Sequence, residues 1–77
     1  MSESVSDDAT GWVARAVQTA MADQAVSRVA LAEAAGIPRV TLIRRLSGRA
    51  PFTVTELAAV AGALGVPLTD LLPSEVA

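Results

Sequence analysis

All six basic residues of this chain are arginines, and five of them, Arg28, Arg39, Arg44, Arg45 and Arg49, fall within one short span of the sequence. A guanidinium offers a planar fork of donors that matches a phosphate or the edge of a guanine, and it keeps its proton at physiological pH. Such a set can recognise anions but cannot shuttle protons. The residues that do covalent or acid–base work are missing. The sequence holds no cysteine, no histidine and no lysine. That removes thiol nucleophiles, zinc sites of the usual kind, the commonest general base and Schiff-base chemistry. Carboxylates remain, but Asp7 and Asp8 lie in a polar N-terminal stretch, and Glu33, Glu56 and Asp70 fit helix surfaces or caps. The chain reads as a binder rather than an enzyme, with no cofactor and no metal expected.

Composition narrows what is bound. A chain of 77 residues is one domain that buries only about 60% of its unfolded surface, which suits a small helical bundle. Hydrophobic residues make up 52%, much of that alanine, a composition that favours helix over strand. Trp12 and Phe52 are the only aromatics, too few for the stacking platforms that hold single strands or RNA loops. Both aromatics are expected in the core. The net charge of -2 is unusual for a partner of nucleic acid, but the acids gather toward the ends and the arginines in the middle. No apolar run approaches the roughly 20 residues of a membrane span, and no signal-peptide pattern opens the chain, so a cytoplasmic protein is expected.

The elements that must position the arginines can be read in order. Residues 1–8 are polar and acidic and are expected to form a flexible tail; residues 9–77 form the domain. From Thr10 to about Asp23, Trp12, Val13, Ala16, Val17, Ala20 and Met21 make an apolar stripe at helical spacing. Ser27 caps a second helix, Arg28–Ala35, with Val26 and Leu31 placed as a hydrophobic staple. Gly36 ends that helix, and Pro38 opens a third that runs to about Ser47 and stops at Gly48. On this third helix Leu42 and Leu46 share one side; Val40, Arg44 and Ser47 lie opposite, with Arg39 and Ile43 at the flanks. Thr53 and Glu56 form a capping box with Phe52 stapled to Leu57, opening a fourth helix that ends at Gly65. Gly62 inside it costs roughly 0.5–1 kcal/mol unless it permits close packing. Val66 to Leu72 is expected as a short fifth helix stopped by Pro73.

Ala32, Gly36 and Ile37 supply a small residue for close helix approach, a glycine for the turn and an apolar plug after it, the needs of a helix-turn-helix. From Val26 to Leu72 the chain resembles the Cro/C1-type, or XRE, helix-turn-helix family of phage repressors and bacterial regulators. Leu31-Ala32, Gly36-Ile37, Leu42, Gly48, Leu57, Ala61, Leu64-Gly65-Val66, Leu68 and Leu71-Leu72 carry the resemblance. It implies an all-α, compact five-helix fold like that of the lambda repressor. It also implies base contacts from Arg39, Val40, Ile43 and Arg44, and phosphate contacts from Arg28, Arg45, Ser47, Arg49 and Thr53. Arg45 departs from the family pattern, standing where an apolar residue is usual, and a salt bridge to Glu56 or another acid is the alternative to its phosphate contact. Leu46 also departs, standing where an acid is common, and is expected to take over the core contact.

Residue chemistry and resemblance together point to a regulator of double-stranded DNA, most plainly a repressor. Arginine reads guanine and the aliphatic side chains of Val40 and Ile43 suit a thymine methyl. One module of this size makes few phosphate contacts, so a homodimer on an inverted repeat is expected, with Leu68, Leu71 and Leu72 as its interface. The alternative is a protein-interaction module on the same fold, such as an antitoxin with a small protein partner.

Overall fold

Four times in this chain a helix is stopped by the same device. In the computed structural model, which describes the backbone of residues 2–72 and side chains from Thr10 onward, α1 spans Ser2–Gln24, α2 Arg28–Ala35, α3 Arg39–Leu46 and α4 Val54–Leu64. At the end of each helix an amide reaches back to a carbonyl five residues earlier: Val26 to Met21 at 2.9 Å, Ile37 to Ala32 at 3.0 Å, Arg49 to Arg44 at 3.2 Å and Val66 to Ala61 at 3.0 Å. The residue before each amide is left-handed, with φ of 55° at Ala25, 69° at Gly36, 80° at Gly48 and 69° at Gly65. This is the Schellman closure, which satisfies carbonyls that a helix end would otherwise leave bare. The closure also turns the next residue back on the bundle. Ile37 is buried, and Val26 and Val66 pack half-buried against the core. Arg49, at the end of α3, is exposed instead.

The helix starts are equally local in origin. Ser27 Oγ accepts from the Ala30 amide at 3.1 Å. Thr53 and Glu56 exchange hydrogen bonds in a complete capping box, Glu56 N–H to Thr53 Oγ1 at 3.0 Å and Thr53 N–H to Glu56 Oε1 at 2.9 Å. The staple residues Val26 and Phe52 lie against the cluster that contains Leu31 and Leu57. α2 packs against α3 and α4, and α1 closes over α3, α4 and the chain that follows them. Leu31, Leu42, Leu64, Leu71, Val17 and Val60 are the large side chains wholly sealed from water.

Four expectations need correction. α1 begins at Ser2 rather than Thr10; residues 2–9 are rich in acids, which favour a helix N-terminus, and hold no proline or glycine to break it. The fifth helix is a single 3-10 turn, Leu68–Leu71. It is closed by bonds from Asp70 to the Pro67 carbonyl and from Leu72 to that of Thr69. Leu72 is already extended, the conformation favoured before a proline. The stop expected at Pro73 itself lies outside the described residues. Trp12 is 43% exposed, because α1 turns Ala14, Val17 and Met21 inward and carries Trp12 on its outer flank. The leucines expected at a dimer interface are used inside the protomer: Leu71 is sealed, and Leu68 and Leu72 pack half-buried on the core.

The backbone accounts for three stability effects that urea or thermal unfolding will measure. Gly36→Ala places a side chain in the left-handed region and loses about 1–2 kcal/mol. Ala25→Gly relieves the same strain at the end of α1 and gains up to about 1 kcal/mol. A Cβ at Gly62 meets nothing within 4 Å, so Gly62→Ala gains roughly 0.5–1 kcal/mol.

Candidate nucleic-acid interface

α3 is divided lengthwise. Leu42 and Leu46 are 0% and 5% exposed, whereas Val40 is 71% and Ile43 49% exposed. Arg39, Arg44 and Ser47 share that solvent side. Two aliphatic side chains set among arginines on an open helix face are complementary to a surface with apolar spots and acceptors side by side, such as a base-pair edge. The helix-turn-helix spacing supplies the geometry. The Gly36 turn and buried Ile37 set α2 against α3, and Arg28, the first residue of α2, lines one shallow groove with Gln18, Ile43 and Ser47. Arg28 therefore borders the exposed face of α3. Arg49 and Thr53, also exposed, lie on the segment between α3 and α4. The Glu56 amide is taken by the Thr53 hydroxyl, but those of Val54 and Thr55 at the start of α4 have no acceptor within the helix, a geometry that can receive an anion.

Arg45 is placed differently from the expectation. Its Nε donates to Glu56 Oε1 at 2.8 Å and its Nη2 to Glu56 Oε2 at 3.2 Å, and both side chains are about four-fifths buried, 20% and 19% exposed. A guanidinium committed to a bidentate carboxylate is not free to hold a phosphate. Arg45 is instead a strut between α3 and the capped start of α4, because the same Glu56 oxygen accepts from the Thr53 amide. The hydrogen bond from Arg45 is the main reason the Glu56 carboxyl titrates below the ordinary range, and the same bond raises Arg45. Among the described residues Arg28, Arg39, Arg44 and Arg49 enter no ion pair. Ser47 is exposed, but its hydroxyl donates to the Arg44 carbonyl at 2.9 Å, leaving its oxygen an acceptor with nothing to give a phosphate in that rotamer.

Sequence reasoning missed two supports of this face. Gln18 donates to the carbonyl of Leu46 at the end of α3, and Gln24 donates to that of Leu64 at the end of α4. Both fasten α1 to a helix end whose last carbonyls lack partners of their own. The only signal in the sequence is that both glutamines sit on a helix otherwise poor in long polar side chains.

The comparisons agree with this geometry. A helix-turn-helix family model matches residues 18–71, more than half of the chain. The chain belongs to the XRE-type helix-turn-helix family of DNA-binding domains. Among solved structures it is similar to the clp gene regulator ClgR from C. glutamicum, with 29% identity, a TM-score of 0.76 and 80% of each chain covered. No curated protein matches the sequence significantly. Among the described residues, no helix of this helix-turn-helix chain is long and apolar enough to cross a membrane.

The strut makes stability depend on pH in one direction. Because Glu56 titrates lower folded than unfolded, its contribution is complete above about pH 5, past the ordinary glutamate range. It is lost as pH falls through the lowered folded value. Urea titrations between acid and neutral pH are expected to show Glu56→Gln less stable than wild type at neutral pH. The difference narrows toward zero in acid.

Proposed function

We propose that this chain is a sequence-specific transcriptional regulator, a repressor, that binds an inverted repeat in double-stranded DNA as a dimer with α3 in the major groove. The observation that carries the reading is the open face of α3, with Val40 and Ile43 exposed among Arg39 and Arg44 while Leu42 and Leu46 anchor the helix from behind. The likeness to a clp gene regulator supports a regulatory role.

In this mechanism the roles divide by chemistry. Arg39 and Arg44 donate to acceptors on guanine edges, and Val40 and Ile43 lie against thymine methyls. Arg28, Arg49 and Thr53, together with the first amides of α4, hold phosphates on either side and set the register of the helix in the groove. Arg45 acts through Glu56, fixing the angle at which α3 meets α4 rather than touching DNA. Two protomers double the phosphate contacts, and their half-sites lie about 34 Å apart, one helical turn.

Selection from a random double-stranded pool at two salt concentrations tests the reading. Recovery of an inverted repeat, with affinity that falls steeply as salt rises, is the expected result; no enrichment by the folded protein overturns it. On the recovered site, Arg44→Ala is expected to cost about 1–3 kcal/mol and to relax preference at one base pair. Arg28→Ala instead weakens all sequences alike and reduces the salt slope by about one. Gel shifts or fluorescence anisotropy on matched and mutated sites separate the two patterns.

A further inference from the structure

We infer that the outer face of α1, bearing Trp12, Arg15, Ala16, Thr19 and Asp23, is where a second copy of this chain docks, the two α1 helices running antiparallel about a two-fold near Thr19. The inference rests on the dimer of the preceding section and names its surface. These residues line a groove between α1 and the segment after α4, whose side of it is Val66, Asp70 and Leu71. Trp12 leaves 43% of its surface open there, an expensive residue to keep half in water.

The charges identify the occupant. Arg15 and Asp23 stand one on each side of Thr19, each about 6 Å along the helix axis from it. A two-fold through Thr19 therefore exchanges them, setting Arg15 against the partner's Asp23 and Asp23 against the partner's Arg15, the self-complementarity that an isologous contact requires. Among the described residues neither enters an ion pair within its own protomer. Asp23 also lies in the last turn of α1, a turn with no basic residue, where an acid opposes the helix dipole. A guanidinium from a second copy supplies the missing cation. Ala16 and Thr19 between the charges are small, so the helices can approach closely. No residue of α2, α3 or the segment between α3 and α4 lines this groove, so the docked pair leaves Arg28, Arg39, Arg44 and Arg49 open to DNA.

The test uses charge reversal and exchange, read by sedimentation equilibrium and by the emission of Trp12, the only tryptophan. The wild-type chain is expected to dimerise as its concentration rises, with a blue shift in emission. Arg15→Asp and Asp23→Arg each put like charges together and weaken self-association by about tenfold or more. The double exchange restores it, and circular dichroism stays unchanged throughout because both positions are exposed. Binding to a single half-site is expected to be the same in all four proteins. A monomer at every concentration, a dimer indifferent to the reversals, or emission independent of concentration overturns the inference. If half-site binding is absent while the reversal pattern holds, the DNA reading fails and the docking surface stands.

Discussion

The left-handed turn that closes each helix is the constraint on which the architecture depends. It spends one residue of unusual backbone and returns two hydrogen bonds, and it points the next side chain in a direction set by geometry rather than by composition. Three times that side chain, Val26, Ile37 or Val66, goes into or against the core. The fourth time it is Arg49, beside a helix whose outer face is already basic. One backbone motif thus serves both as the joint of the bundle and as the edge of its proposed recognition surface.

What holds α3 in place is a division of labour between apolar and polar contacts. Leu42 and Leu46 fix its distance from α2 and α1 through burial, which is strong but indifferent to small rotations. Direction comes from polar contacts at its C-terminal end. Gln18 on α1 takes the Leu46 carbonyl, and Arg45 reaches Glu56, whose other bond locks the start of α4. These pairs have fixed donor and acceptor geometry, so they resist the rotation and sliding that leucine packing permits. The proposed role of α3 requires its side chains to be held in register with base edges, and these polar pairs restrict the helix in that way.

Short-range signals were the legible part of the sequence. The bounds of α2, the glycines at 36 and 65, the capping box at Thr53 and the inward pair Leu42 and Leu46 all depend on residues within a few positions of one another. The structure has each where the sequence places it. Trp12 was misread because α1 is lined with alanines on several sides, so its apolar stripe does not define one inward face. The last helix was misread because periodicity in leucines does not register how little room a flanking proline leaves. Arg45 had two readings until the distance to Glu56 decided between them. The roles of Gln18 and Gln24 depend wholly on which helix ends α1 passes over, information no local pattern contains.

The lengthwise split of α3 has a consequence for how such a protein changes over time. Its inner residues are shared with the core, whereas Val40 and Arg44 on the outer side stand open to water. If α3 reads DNA as proposed, substitutions at Val40 or Arg44 alter which sequence is read with little cost to the fold, so drift in target preference largely escapes the usual penalty in stability. Under the proposed function α3 is an exchangeable cassette: duplicated copies of this domain can diverge in what they read while keeping one scaffold.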